Sequence, residues 1–190
     1  MSRSVSEVLA GGRVSHRRGL PSWRGTSAGC GAEGSEPHLL ADGAAGAIKA
    51  AGEFCCTVDW NAPALEIDAV RQIEIVDAMI NRRVAGIVLA PVDKQALVAV
   101  VERAGQKGIP VAIFDSAIDT DKIVSDVATD NTEAGRIAAR RMGEILGGKG
   151  KVGIVGFMPG SASTMEREHG FPDEIRQRFP ESILWRCNLA

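Results

Sequence analysis

Residues 82–116 read RRVAGIVLAPVDKQALVAVVERAGQKGIPVAIFDS, and this stretch decides the fold class. Two apolar runs, Gly86–Ala90 and Pro110–Phe114, enclose one amphipathic segment of helical length. Two buried strands joined by a helix form a βαβ unit, which requires a parallel sheet and a right-handed crossover. Ligands of open parallel sheets bind beyond the carboxyl ends of the strands. The sequence therefore predicts that Asp115, directly after the second run, lies at a binding edge.

The composition of the 190 residues argues against several functional classes. With 45% hydrophobic and 24% charged residues, the chain is long enough for one core or for parts of two lobes. A formal net charge of −2 and a pI near 6.0 give no electrostatic footprint for nucleic acid. Aromatic residues are scarce and Tyr is absent, so a stacking surface for single strands is not expected either. No apolar run reaches the roughly 18 residues of a membrane helix, so no direct membrane insertion is predicted.

The cysteines predict neither a metal site nor a cofactor. Cys30, Cys55, Cys56 and Cys187 fit no metal-ligand spacing. The adjacent Cys55 and Cys56 are expected to point to opposite faces of a strand, so they do not jointly bind one ion. We interpret all four as ordinary thiols.

Residues 1–42 differ in character from the rest of the chain. They are rich in Ser, Gly and Arg and show neither the period of a strand nor that of a helix, which predicts a disordered or non-native leader. No signal peptide is predicted, because the basic start is not followed by ~7–15 continuous apolar residues. The arginines at 13, 17, 18 and 24 leave open a transit-type or nucleic-acid-binding arm, a flexible tail or a mis-assigned start.

The remaining chain alternates helices and strands. Besides the βαβ unit, helices are predicted over Asp42–Phe54 and within Pro63–Arg82, and strands over Cys55–Trp60, Ile123–Ala128, Lys151–Phe157 and Ser182–Trp185. Apolar helix faces are predicted for Ile67, Val70, Ile73, Val76 and Ile80, and for Ile137, Met142 and Ile145. Expected caps are Asp93, Gly108, Asp130 or Asn131, and Ser163 with Glu166 as a capping box. The alternation is typical of a doubly wound α/β fold.

Two nucleotide-binding patterns occur in the wrong context. Gly148, Gly150 and Gly153 spell G-x-G-x-x-G, but that motif must follow a strand and open a helix. Here the glycines end a helix and lead into a strand. The stretch Gly143–Lys149 spells G-x-x-x-x-G-K, but Gly150 occupies the position of the required Ser or Thr. We interpret both as the end of a helix and a turn, which disfavours a Rossmann-type enzyme.

No catalytic residue is predicted. His169 lies in a helical segment beside charged neighbours, which is typical of a surface residue, and Asp119 and Asp121 fall in a predicted turn. Asp115 and Arg167 point instead to binding. A short carboxylate accepts two hydrogen bonds, and a guanidinium donates two in parallel, as a polyol ligand requires.

Four motifs in order resemble one protein family. They are GIVLAPVDKQAL (86–97), GIPVAIFDS (108–116), VATDNTEAGRIAA (127–139) and GSASTMEREHGF (160–171). Their order and spacing resemble the periplasmic sugar-binding proteins of ABC transporters, ribose-binding type, and the related sugar-sensing domain of lactose-repressor-type regulators. The resemblance covers roughly Gly43 to Phe179.

The resemblance implies two Rossmann-like lobes of the type I periplasmic-binding-protein fold that close on a monosaccharide around hinge segments. Asp115 matches the acid that binds sugar hydroxyls from the first lobe, and Arg167 matches the arginine of the second. Thr129 and Met158 match pocket-lining positions. Ser116 stands where ribose binders have Arg, and Ala90 where they have Asn, so ribose itself is not the expected sugar.

The chain departs from the family pattern at both ends. We expect residues 43–128 to form a first lobe that lacks its first strand, and residues 129–190 to form part of a second lobe. The predicted function is monosaccharide binding, impaired by this truncation, as the periplasmic component of a transporter whose permease is the partner of the intact protein. The alternative is the effector domain of a transcriptional regulator, which requires a helix-turn-helix motif before Asp42.

Overall fold

The computed structural model describes residues 24–28, 37–63 and 67–188, and the chain divides into two compact units. Unit 1 runs to Phe114 and also includes Ile118–Val127, whereas unit 2 consists of Asp115–Ala117 and the chain from Ala128 onward. The predicted boundary after residue 128 differs from this division by one residue. The prediction also placed residues 115–117 in the first lobe, although they belong to unit 2.

Unit 1 is a five-stranded sheet with helices. Its strands are β1 (Arg24–Ala28), β2 (Thr57–Asn61), β3 (Ile87–Leu89), β4 (Val111–Phe114) and β5 (Ser125–Val127). Its helices are α1 (Pro37–Glu53), α2 (Ala69–Asn81) and α3 (Val98–Gln106). All strand pairs are parallel, in the order β2-β1-β3-β4-β5. The predicted doubly wound parallel sheet is confirmed.

The βαβ unit β3–α3–β4 is confirmed, and it forms the centre of the unit 1 core. The buried side chains of its strands and helix include Ile87, Leu89, Val100, Val101, Val111 and Ile113. Each contributes about 1.5–3 kcal/mol by leaving water. The helix begins at Val98, so Asp93 is not its N-cap as predicted. The Asp93 carboxylate accepts hydrogen bonds from the backbone N–H groups of Gln95 and Ala96 and so caps the turn that precedes the helix. Gly108 follows the helix with φ +75°, as predicted for its end.

The leader contains two regular elements, which corrects two predictions. Arg24–Ala28 forms a strand that pairs with both β2 and β3, and α1 begins at Pro37. The first lobe therefore does not lack a strand at this position. The sequence RGTSA carries no apolar alternation, so a pattern search misses a strand that is identified by its backbone pairing. The non-native origin of residues 1–42 stays a prediction, and Cys30 and the arginines at 13, 17 and 18 lie outside the described residues.

The apolar face predicted for α2 is wrong in its first turn. Ile67 and Val70 are exposed, whereas Val76 and Ile80 are buried as expected. The helix starts at Ala69, after the N-cap Asp68, so Ile67 precedes it. The buried face includes Gln72, which carries hydrogen bonds rather than apolar surface.

Unit 2 consists of two helices and two parallel strands. They are α4 (Asn131–Ile145), β6 (Lys149–Gly156), α5 (Ala162–Arg178) and β7 (Glu181–Asn188). The strands pair along their whole length, from Lys149 opposite Glu181 to Gly156 opposite Asn188. Gly147 and Gly148 end α4 with positive φ angles, which confirms that the glycine-rich stretch is a helix end and not a phosphate-binding loop.

Helix α4 packs against α5 through small residues rather than through the predicted isoleucines. Ile137 and Ile145 are exposed, and the buried row is Asn131, Gly135, Ala139 and Gly143. The backbones approach so closely that a Cβ at Gly135 would collide with the carbonyl oxygen of Arg167. Periodicity of large apolar residues does not detect a contact of this kind.

The two predicted caps of unit 2 differ in outcome. The Asp130 carboxylate accepts a hydrogen bond of 2.9 Å from the Glu133 backbone N–H, which confirms Asp130 as the N-cap of α4. The capping box of Ser163 and Glu166 is wrong, because α5 begins after Ser161 and Ser163 already lies in its first turn.

Candidate functional site

Asp115 follows the last residue of β4 and adopts a backbone conformation that few residues tolerate. Its φ angle is +67°, in the left-handed region, and its side chain is exposed. Aspartate tolerates this conformation better than most residues because its short side chain forms local hydrogen bonds. Backbone strain of about 1–3 kcal/mol is concentrated at binding and catalytic sites. The conformation is therefore consistent with the binding role predicted for Asp115.

Ser116 is buried and supports the start of α5. Only 4% of the residue is exposed, and its Oγ accepts a hydrogen bond of 3.3 Å from the backbone N–H of Ser163. The N-cap Ser161 makes no capping bond with its own side chain, so Ser116 supplies an acceptor to an otherwise unpaired N–H of the helix. This hydrogen bond gives a structural reason for a small hydroxyl side chain at this position. Direct contact of Ser116 with a ligand stays a prediction.

Arg167 lies in the second turn of α5 with its guanidinium held at one nitrogen. Its Nε donates a hydrogen bond of 2.8 Å to Oδ1 of Asn131, the first residue of α4. Asn131 is only 2% exposed, whereas Arg167 is exposed. Within the part of the chain that the structure describes, the two terminal nitrogens of Arg167 have no other partner. They can donate in parallel to a ligand.

Two further predicted residues lie at the same end of unit 2. Thr129 is exposed immediately before the N-cap of α4, and Met158 is half-buried in the loop that follows β6. The α4 N-terminus, the end of β6 and the first turns of α5 carry Thr129, Met158 and Arg167. Their shared role as ligand contacts remains a prediction.

Ala90 lies at the carboxyl end of β3 and is held by a residue that sequence reasoning missed. The Gln72 carboxamide donates to the Ala90 carbonyl oxygen at 2.7 Å and accepts from the Val92 N–H at 3.0 Å. Gln72 is fully buried, so these bonds form where water cannot replace them. A glutamine at a buried helical position gives no signal in the sequence pattern.

Glu168, like Gln72, was not singled out from the sequence. Its carboxylate accepts a hydrogen bond of 2.8 Å from the Phe157 backbone N–H and one of 2.5 Å from Arg186 on β7. It thereby joins α5 to the end of β6 and to the neighbouring strand. Beside it, α4, β6 and α5 line a groove of about 330 Å³ that is apolar except for Arg167 and Glu168.

The described residues were searched for groups of metal ligands and for helices that could span a membrane. No group of three or more His, Cys, Asp or Glu side chains in this part of the chain is arranged to hold a metal ion. No helix in it is long and apolar enough to cross a membrane. Cys55 and Cys56 are free thiols.

A family model and curated relatives match most of the chain. Residues 38–184 match the periplasmic binding protein domain. The ribose import binding protein of Bacillus subtilis is 33% identical over 112 residues, which are 59% of this chain and 37% of that protein. The xylitol-binding protein of Mycolicibacterium smegmatis is 30% identical over 122 residues, which are 64% of this chain and 34% of that protein. The chain therefore spans only about a third of the length of these curated relatives.

Solved structures agree in fold. An ABC transporter solute binding protein from Agrobacterium vitis with bound D-fucose has a TM-score of 0.77 and 30% identity, covering 85% of this chain and 56% of that one. A carbohydrate transporter solute binding protein from Agrobacterium radiobacter, in complex with D-arabinose, has a TM-score of 0.82 and 25% identity, covering 90% and 59%. This agreement confirms the predicted type I periplasmic-binding-protein fold and shows that the chain is a part of it.

Proposed function

We propose that this chain, which belongs to the periplasmic binding protein domain family, binds a monosaccharide or a related polyol and performs no chemistry on it. The observation that carries the proposal is the Arg167 guanidinium. Its Nε is engaged by Asn131, while its two terminal nitrogens remain available to a ligand. The similar proteins named above are import, xylitol-binding or solute-binding proteins, which favours transport over regulation.

The chemistry of the two charged residues fits a neutral polyol. The exposed Asp115 carboxylate accepts hydrogen bonds and Arg167 donates them, whereas adjacent sugar hydroxyls do both. The charges of the two residues balance, so a neutral ligand leaves no net charge at the site. The similar proteins described above are named for, or hold, ribose, xylitol, D-fucose or D-arabinose, which are all neutral polyols. Ribose is the less favoured ligand in this proposal, because the family resemblance places Ser116 and Ala90 where ribose binders have Arg and Asn.

We expect this chain to bind its sugar weakly. It covers 56% and 59% of the two sugar-bound structures, and we propose that it supplies only some of the ligand contacts that a protein of their length makes. A dissociation constant of about 1 mM or weaker corresponds to some 4 kcal/mol, which a few charge-assisted hydrogen bonds provide. In the intact protein we propose a periplasmic location and delivery of the sugar to an ABC transporter permease.

The proposal is tested by titrating the ¹⁵N-labelled chain with D-ribose, D-arabinose, D-fucose and xylitol and following amide chemical shifts. We expect one or more of these to shift amides around residues 115 and 167 in a saturable manner, and Asp115→Ala and Arg167→Ala to abolish the effect. Asp121→Ala and Arg176→Ala are the matched controls, because both side chains are exposed and pair only with neighbours on their own segment. Saturable binding that survives both site substitutions, or no response to any of the four ligands, would contradict the proposal.

A further inference from the structure

We infer that Asn131 is a positioning residue for sugar binding, because it fixes the plane in which Arg167 presents its two terminal nitrogens. This inference rests on the proposed function. Asn131 itself is only 2% exposed, so it acts on the ligand through Arg167 and not by contact.

The side chain of Asn131 does not cap its own helix. The N-cap of α4 is Asp130, whose carboxylate accepts the Glu133 backbone N–H. In the described part of the chain, the partner of the Asn131 side chain is the Nε of Arg167, at 2.8 Å. A buried amide that is not needed for helix capping, and that bonds across to another helix, has the placement of a support for its partner.

The position of the two helices leaves this contact little freedom. A Cβ at Gly135 would collide with the Arg167 carbonyl oxygen, and a Cβ at Gly170 would collide with the Thr132 carbonyl oxygen. The backbones of the two helices therefore touch at two places close to the Asn131–Arg167 pair. Because packed interiors do not deform continuously, the distance between Asn131 and the α5 backbone is fixed by these two glycines.

The geometry of the guanidinium explains what this bond provides. Arginine presents its donors in a planar fork, and an arginine that is held at Nε can still donate two parallel bonds from its terminal nitrogens. A long exposed side chain without this bond samples many rotamers, and a ligand must then order it. We expect loss of the Asn131 acceptor to weaken sugar binding by about tenfold while the charge of the site is unchanged.

The test uses the NMR signal of the Arg167 Nε–H together with sugar titrations of the same samples. In the wild-type chain the signal is expected to be sharp and slow to exchange, since the proton is hydrogen-bonded. Asn131→Ala should broaden it and weaken binding of the best ligand among D-ribose, D-arabinose, D-fucose and xylitol by about tenfold. Asn131→Asp keeps an acceptor oxygen and should retain both the signal and an affinity within about threefold of wild type.

Two additional variants separate positioning from stability. Glu133→Ala removes an ion pair with Arg140 from the same turn of α4 and should leave sugar affinity unchanged. Arg167→Lys keeps the charge but loses both the Nε donor and the two parallel terminal donors, so it should weaken binding more than Asn131→Ala does. It also provides the comparison if Asn131→Ala does not fold. In the double variant Asn131→Ala/Arg167→Lys we expect no loss beyond that of Arg167→Lys alone, because Asn131 then has no Arg167 Nε to hold.

The possible failures are distinguishable. Sugar binding that is equally strong in wild type and Asn131→Ala overturns the positioning role but leaves the proposed function intact. An equal loss in Asn131→Asp and Asn131→Ala also overturns it, because the acceptor oxygen is then not what matters. A wild-type chain that binds none of the four ligands overturns the proposed function and the positioning role with it.

Discussion

The sheets of the two units differ in the number of partner strands that each strand has. In unit 1, the central strands β1, β3 and β4 each have a partner strand on both sides. In unit 2, β6 and β7 pair with each other and, within the described residues, with no other strand. Two strands alone bury little surface, and an isolated pair is marginal in water. Unit 2 therefore depends on other contacts.

The side chains show the same contrast. The βαβ unit of unit 1 buries most of its large apolar residues, with Val88 as an exception, whereas the strands of unit 2 leave Val155, Ile183 and Trp185 exposed. What unit 2 has instead is close backbone packing of α4 on α5 and an ionic cluster between them. The difference teaches that the same kind of strand and helix order is held by an apolar core in one unit and by helix contacts in the other.

The largest expected effect is the loss of stability on truncating a buried apolar side chain of unit 1, compared with an exposed one of unit 2. Ile113, in β4, is 1% exposed, so Ile113→Ala should lower the free energy of unfolding by about 2–5 kcal/mol through lost burial and a cavity. Trp185, in β7, is 65% exposed, and Trp185→Ala should change the free energy of unfolding by no more than about 0.5 kcal/mol. Denaturant unfolding followed by circular dichroism measures both. A loss at Trp185 comparable with that at Ile113 would show that the contrast between the strands is mistaken.

A smaller effect is expected at the ionic cluster of unit 2. The side chain of Glu174 is 7% exposed and contacts Arg140 at 3.1 Å and Arg178 at 2.6 Å. Glu174→Ala should lower the free energy of unfolding by about 2 kcal/mol, less than a fully buried pair because both arginines are partly in water. Glu144→Ala is the control, since Glu144 pairs with Arg141 in solvent on the outer face of α4. Equal effects of the two substitutions on the free energy of unfolding would show that the ionic cluster does not stabilise unit 2.

The smallest effect concerns pH and Glu133. The hydrogen bond from Arg140 lowers the pKa of the Glu133 carboxyl below its usual 4.5, with further help from the charges of Arg140 and Arg136. Because the pKa is lower in the folded state, the stabilisation is complete above about pH 4.5 and is lost as the pH falls through the folded-state value. Thermal unfolding of wild type and Glu133→Gln should differ most at neutral pH and converge in acid. A difference that persists or grows in acid would contradict this sign.

The βαβ unit was predictable because burial there follows large apolar residues. Two apolar runs of strand length around one amphipathic helix leave few alternatives, and the position of Asp115 follows from the end of β4. Strand β1 was not predictable, because its pairing is made by backbone groups that every sequence possesses.

The residues of the candidate site were also only partly predictable from the sequence. Asp115 and Arg167 were predicted as ligand contacts from motifs. The hydrogen bonds of Gln72, Asn131 and Glu168 were not predicted, because each joins partners that lie far apart in sequence. The exposed Ile137 was wrongly assigned to a buried face for a related reason. Periodicity shows that a helix has an apolar stripe but does not show which stripe meets its neighbour.

The positive φ angle of Asp115 restricts how this chain can change over generations. At φ +67° glycine, asparagine and aspartate fit with less strain than most residues, and of these three only aspartate carries a charge. Single-base changes of an aspartate codon reach asparagine and glycine, so the mutations that the backbone tolerates best are the ones that erase the charge. The backbone conformation therefore does not by itself favour aspartate over asparagine or glycine at position 115, and the proposed ligand binding is what would distinguish aspartate from them.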